Sequence, residues 1–100
     1  MGFISDLVSR NAIGKQGRLL AKQFALRLTK GREGDSKRVA AEYEILVGDA
    51  LGYQRRAELG VVGKSHLTNS IQWALVEEGF SEEFSRDIGG RLAITLAASD

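Results

Sequence analysis

The feature that most constrains this chain is a helical spacing of apolar residues that no proline interrupts. The 100 residues include no proline, and apolar side chains recur at every third or fourth position over most of the sequence. Proline kinks or ends helices, so its absence leaves long helical segments intact. The 12 glycines then act as the main breaks between segments. Since no segment alternates apolar and polar residues as a half-buried strand does, the sequence predicts an all-α fold.

A chain of this length forms a single core, so we expect one domain, residues 1–100. The four main helices are predicted over residues 15–31, 36–59 and 66–78 and over a last segment that follows Ser81. The segment 3–13 also has one apolar face, which allows a short additional N-terminal helix. Short connections make successive helices antiparallel, and the predicted architecture is therefore a small bundle.

Each predicted helix has an apolar stripe and signals at its ends. The inward-facing residues are predicted to be Leu20, Phe24 and Leu28, then Leu67, Ile71, Ala74 and Leu75, and finally Phe84, Ile88, Leu92 and Leu96. The N-caps are predicted at Asp35 or Ser36, at Ser65 and at Ser81. Gly31 and Gly79 follow helical segments, where glycine commonly ends a helix.

The helix predicted over 36–59 has a heptad pattern, which favours pairing with another helix. Its apolar positions follow spacings of 4, 3, 4, 3 and 4: Val39, Tyr43, Leu46, Ala50, Tyr53 and Ala57. Gly48 and Gly52 interrupt the helix on one face, which would suit either a close helix–helix approach or a bend. Trp73 lies off the stripe of its own helix and is either a core residue or an exposed interface anchor. We expect protein–protein contacts through Tyr43, Leu46, Tyr53 and Trp73.

The net charge of +1 conceals two halves of opposite sign. Residues 1–38 hold nine basic and three acidic side chains, whereas residues 39–100 hold five basic and ten acidic ones. Opposite charges in two halves suit pairing between two copies of the chain, and a basic segment also suits an anionic partner. The basic side chains of 15–38 that would contact phosphates of a nucleic acid are Lys15, Arg18, Lys22, Arg27, Lys30, Lys37 and Arg38. Peripheral membrane association through the N-terminal amphipathic helices is a second alternative.

The segment 60–68, GVVGKSHLT, resembles the end of a phosphate-binding loop. That motif reads G-x-x-x-x-G-K-[ST], and counting back from Gly63 places Glu58 where its first glycine belongs. A carboxylate there would repel phosphate, and a heptad helix precedes the segment instead of a buried strand. We therefore interpret it as a joint in which glycines end one helix and Ser65 begins the next. A nucleotide or anion site at that helix start would use Lys64, Ser65 and His66.

Composition argues against several other kinds of function. The chain has no cysteine and a single histidine, which removes thiolate chemistry and leaves too few ligands for a typical zinc site. We expect no catalytic, metal or cofactor-binding residues, no transmembrane segment and a cytoplasmic location. The sequence thus predicts a small helical protein-interaction or regulatory module without enzymatic activity, whose partner is another protein or a second copy of itself in a homodimer.

Overall fold

The uninterrupted helical spacing does produce four helices. The computed structural model describes residues 3–28 and 33–99, with side chains from Arg10 onward, and these ranges contain no strand. The helices are α1 (Phe3–Arg27), α2 (Ser36–Arg56), α3 (Val61–Glu77) and α4 (Glu82–Ala98). The all-α prediction and the four main helices are confirmed. The predicted glycine cap at Gly31 and the candidate Lys30 lie outside the described residues.

The first helix is longer than its sequence pattern indicated. A separate helix over 3–13 is not formed, because α1 continues without a break from Phe3 through the glycines at 14 and 17. Both glycines are buried, and Ile13 beside them belongs to the core. Packing against the bundle therefore outweighs the cost of about 1 kcal/mol that each glycine imposes on a helix interior.

The joint between α2 and α3 differs most from the prediction. α2 ends at Arg56 instead of residue 59, and α3 begins at Val61 instead of residue 66, with Gly60 as its N-cap. The predicted cap at Ser65 is wrong, because Ser65 lies inside the helix. Glu58 turns the chain here with a φ of 52°, in the left-handed region that favours glycine.

The ends of α2 and α3 have the same hydrogen-bond pattern. After α2, the N–H groups of Glu58 and Leu59 donate to the carbonyls of Arg55 and Gln54. After α3, those of Gly79 and Phe80 donate to the equivalent carbonyls, those of Val76 and Leu75. This is the Schellman motif, whose left-handed position is occupied by Gly79 in one case and by Glu58 in the other.

Two predicted N-caps are confirmed. The Asp35 carboxylate accepts a hydrogen bond from the N–H of Arg38, and the Ser81 hydroxyl accepts one from the N–H of Phe84. The predicted inward stripes are also confirmed, since all their residues are buried except Phe84, which packs against the core from its edge. Phe84 contacts both Phe24 and Phe80, with ring centroids 6.3 and 5.1 Å away.

The helices pack in the cyclic order α1, α3, α4, α2. α1 and α3 are parallel, because Ile13 lies near Gly63, Gly17 near Ser70 and Phe24 near Phe80. Antiparallel packing of successive helices already implies that α1 and α3 run in the same direction, but the sequence did not predict that these two helices pack against each other. A β-carbon added at Gly17 would lie 2.6 Å from the Ser70 Cβ, so α1 and α3 approach each other more closely than any side chain would permit.

Polar contacts fix both ends of the bundle. Glu42, which is buried, accepts a hydrogen bond of 2.7 Å from the Arg27 Nε and lies 3.7 Å from the Arg38 Nε. At the other end, the Lys64 Nζ donates to the Ser99 carbonyl at 2.7 Å and the Gln54 Nε2 donates weakly to the Leu96 carbonyl at 3.4 Å. A cation and an amide thus satisfy carbonyls at the C-terminus of α4, where the helix dipole favours positive charge.

Candidate interaction surfaces

The four residues that the sequence proposed for a protein interface occupy different environments. Leu46 has no exposed surface and belongs to the chain's own core, so a partner could contact it only if the bundle opened. Tyr43 and Tyr53 are half-buried and pack against the same core. Trp73 is 49% exposed, which makes it available for binding. The structure therefore does not bring these four residues together on one accessible surface.

Exposed apolar side chains instead follow the groove between α1 and α2. Leu19 and Leu26, seven residues apart, lie on one edge of α1, and Leu26 is 72% exposed. Ile45 is also exposed and lies between Glu42 and Asp49 on the edge of α2 that faces α1. We call the surface formed by Leu19, Leu26, Ile45, Gly48 and Gly52 the α1–α2 seam.

The glycines give the α1–α2 seam its concave shape. Gly48 and Gly52 line a depression of about 200 Å³ together with Leu19 and Gln23. A β-carbon added at Gly48 would meet nothing within 4 Å, so no packing inside this chain requires glycine there. The sequence left two explanations for these glycines, a close approach or a bend, and α2 continues through both.

The basic segment 15–38 is divided among different surfaces. Arg27 and Arg38 both contact Glu42, and Arg38 also donates to the Arg27 carbonyl at 3.2 Å. Lys37 is exposed at the start of α2, whereas the exposed basic residues that this segment contributes to α1 are Lys15, Arg18 and Lys22. The seven predicted phosphate contacts therefore do not form one continuous patch, and Lys30 is not described.

The segment that resembles a phosphate-binding loop forms the first two turns of α3. Lys64 reaches the C-terminus of α4, as described above, and Ser65 is exposed. The His66 Nε2 lies 3.2 Å from the Arg10 carbonyl. Because a carbonyl oxygen only accepts, the Nε2 has the proton in this bond, which links α3 to α1. Lys64 and His66 thus make structural contacts between helices.

Two adjoining depressions lie over α3 and the neighbouring faces of α1 and α4. The larger one, about 680 Å³, extends over the exposed face of α3 from Arg10 on α1 to Arg86 on α4. The smaller one, about 340 Å³, continues along α1 past Lys15 and Arg18. Arg10 and His66 line both, so we treat them as one surface and call it the basic trough.

Four cations line the basic trough: Arg10, Lys15, Arg18 and Arg86. Sequence reasoning identified Lys15 and Arg18 as candidates and missed the other two. Arg10 lies before the segment 15–38, and Arg86 is 68 residues further along the chain than Arg18. Only the packing of α3 between α1 and α4 brings them to the same surface. No local signal in the sequence could have shown this.

Other kinds of site receive no support from the described part of the chain. Within residues 10–28 and 33–99, no three His, Asp or Glu side chains gather as metal ligands would. None of the described helices has the length and apolar character needed to span a bilayer. The side chains of residues 3–9, on which a peripheral membrane contact would depend, lie outside the description.

Comparison of the chain with known protein families, with curated proteins and with solved structures finds no match.

Proposed function

We propose that this protein is a non-catalytic interaction module that forms a homodimer through the α1–α2 seam. The observation that supports this most directly is the row of exposed apolar side chains beside Gly48, a glycine that packing within the isolated chain does not require. Exposed apolar surface next to a groove is typical of interaction sites. A glycine in a helix interior costs about 1 kcal/mol relative to alanine, so close approach of a second molecule is a reason for glycine at position 48.

The shape of the α1–α2 seam suits a second copy of the same chain. A two-fold axis parallel to the helices would place α1 of one copy over α2 of the other. Leu19 would then face the glycines of the second copy, because Leu19 and both glycines line the same depression and so lie at the same level. Leu26 would lie near Ile45 in the same way. A two-fold axis repeats each such contact, which is the usual arrangement of a homodimer.

Charge also favours this pairing. Lys22 lies one helical turn before Leu26 on α1, and Glu44 lies one turn before Gly48 on α2. Both side chains are exposed and flank opposite edges of the α1–α2 seam. The same two-fold axis would bring Lys22 of one copy towards Glu44 of the other, twice in each dimer. Such rim contacts affect orientation and association rate more than affinity.

Molar mass measured by light scattering, from micromolar to millimolar protein, tests the proposal. We expect the mass to rise from one chain to two over this range. Leu26→Glu should weaken the dimer by about 30-fold or more, since a charge would then face an apolar contact at the centre of the interface. Ile94→Glu is the matched control, because Ile94 is 74% exposed on the outer face of α4.

A monomer mass at all concentrations would refute the proposal. An unchanged dimer in Leu26→Glu, with equal folding of both variants by circular dichroism, would also refute the assignment to the α1–α2 seam. Gly48→Gln gives a second measurement, because it fills the depression without a clash inside the monomer. It should weaken the dimer without lowering the stability of the monomer.

A further inference from the structure

The basic trough has a charge distribution that the α1–α2 seam does not have. Four cationic side chains line it: Arg10, Lys15, Arg18 and Arg86. All four are exposed, and none forms an ion pair or a side-chain hydrogen bond with another described residue. By contrast, Arg27 and Arg38 share Glu42. No carboxylate lines the two depressions of the trough among the described residues, but a third depression, which shares Arg10 and His66 with them, has Glu58 in its lining. Lys15, Arg18 and Arg86 line only the two depressions without a carboxylate and are available for an anionic ligand.

Close helix packing produces the open, shallow form of this surface. Gly17 allows α1 to approach α3, and Gly89 allows α4 to approach α3 so closely that an added β-carbon would lie 3.0 Å from the Gln72 Cβ. The exposed faces of the three helices therefore lie side by side. Gly90, which has no neighbour within 4 Å of an added β-carbon, leaves the α4 side of the trough open.

Uncharged polar side chains lie between the cations, beside apolar lining that includes Val62 and Ala93. Ser65, Asn69, Ser70 and Gln72 supply hydroxyl and amide groups, which both donate and accept hydrogen bonds. Arginines at the rims with neutral polar groups between them suit phosphate oxygens together with the polar edges of a larger ligand. From Arg10 to Arg18 the cations of α1 extend over about 12 Å, at 1.5 Å per residue, which is longer than one phosphate group.

An exposed aromatic ring lies at the end of this surface. His66, Ser70 and Trp73 are spaced by four and three residues and share the edge of α3 that faces α1. Trp73 therefore lies one turn beyond Ser70, next to the end of the trough, in the direction in which α1 and α3 run together. One turn beyond Trp73 on the same edge, the exposed Glu77 places a carboxylate.

We infer that the basic trough and Trp73 bind single-stranded nucleic acid, with phosphates at Arg10, Lys15, Arg18 and Arg86 and a base stacked on Trp73. Exposed cations with an adjacent aromatic ring are the usual elements of single-strand binding, in which stacking tolerates any base. A duplex hides the faces of its bases and would use the cations alone. Arg10, Arg86 and Trp73 of this site are outside the α1–α2 seam, whereas Lys15 lies one helical turn before Leu19 of the seam.

The single tryptophan of the chain provides a direct readout. Titration of the protein with an unlabelled single-stranded oligonucleotide at low salt should quench the Trp73 fluorescence to a saturating value. An oligomer of equal length and charge with abasic units should bind more weakly and leave the fluorescence nearly unchanged. Anisotropy of a labelled oligonucleotide then gives the affinity. Replacement of Trp73 by leucine should weaken binding by about 10-fold or more, as loss of one stacked base does.

Salt dependence and charge variants test the cations. Four phosphate contacts predict a slope of about −3 for log K against log salt, since each contact on a single strand contributes about −0.7. The double variant Arg10→Gln, Arg86→Gln should reduce the slope to about −1.4. The matched control is Lys37→Gln, Arg55→Gln, which removes the same charge from exposed positions on α2 and should leave the slope unchanged.

Several outcomes would overturn the inference. The first is that no oligonucleotide binds at low salt. The second is that duplex and single strand bind with equal affinity and without quenching of Trp73. The third is that the two double variants change the slope of log K against log salt equally. Preferential binding to vesicles with anionic lipid, with no competition from the oligonucleotide, would assign the trough to a membrane surface instead. Circular dichroism of each variant shows whether the fold is intact, since all four substituted arginine and lysine positions are exposed and should tolerate the change.

Discussion

Replacement of Gly17 by alanine is expected to destabilise the protein, although alanine is the better helix former. An alanine Cβ at this position would lie 2.6 Å from the Ser70 Cβ and 3.3 Å from the Ile71 backbone nitrogen. Carbon atoms in contact normally lie about 3.5–4.0 Å apart. Neither neighbouring atom can rotate away, because one is bonded directly to the backbone and the other belongs to it. α1 and α3 would therefore have to separate by about 1 Å along the largest helix–helix contact of the bundle.

The expected loss follows from two opposing terms. Overpacking in a core costs typically 1–3 kcal/mol, and a contact with fixed atoms belongs at the upper end of this range. The alanine gains about 1 kcal/mol of helix propensity. The net effect is a loss of about 2 kcal/mol in the free energy of unfolding, which corresponds to a melting temperature about 10 °C lower for a domain of this size.

Urea unfolding followed by circular dichroism measures this loss, with Gly90→Ala as the control. Gly90 also lies inside a helix, but an added β-carbon there meets nothing within 4 Å, so alanine should raise the stability by about 1 kcal/mol. Ser70→Gly removes the 2.6 Å contact, and the double variant Gly17→Ala, Ser70→Gly should be more stable than the sum of the two single effects by about 1 kcal/mol. If Gly17→Ala were as stable as the original protein, the close approach of α1 and α3 would be refuted.

Two further substitutions test local features of the fold by the same urea measurement. Glu58→Gly should raise the stability by about 0.5–1 kcal/mol, because the φ of 52° suits glycine. Glu58→Ala is the control and should bring no such gain. Equal stability of the two variants would argue against the left-handed turn. Glu42→Gln should cost about 1–2 kcal/mol, because it leaves Arg27 at 29% side-chain exposure without its counter-charge. The control is Asp87→Asn, which breaks the exposed ion pair with Arg91 and should change the stability by less than about 0.5 kcal/mol. Equal losses of stability in Glu42→Gln and Asp87→Asn would contradict a special role of the Arg27–Glu42 contact.

The helices and their inward faces could be predicted because local chemistry determines them. The stripe of Leu67, Ile71, Ala74 and Leu75 is buried as the spacing indicated, and Ser81 caps α4 as its hydroxyl and position suggested. Prediction failed where packing overrides local preference. Buried Gly14 did not separate two helices, although the sequence predicted a break there, and Glu58 adopted a backbone conformation that its residue type disfavours.

The sequence could not predict the candidate surfaces in full, because they join residues that are distant along the chain. The heptad pattern of α2 correctly indicated contacts with other helices, but these contacts are largely within the same chain, where Leu46 is completely buried. Charge counting marked Lys15 and Arg18, and only the fold shows that Arg27 is paired with Glu42 whereas Arg86 lies near the other free cations.

The sequence by itself therefore determined the all-α class, the approximate positions of the helices, the apolar stripes and the caps at Asp35 and Ser81, since each depends on residues within one or two helical turns. The tertiary structure alone decided that α1 and α3 lie in close contact, which glycines this contact requires, and which glycines have no neighbour near an added β-carbon. It also decided which charges are neutralised within the chain. These properties depend on distances between atoms of different helices, and local residue preferences contain no information about those distances.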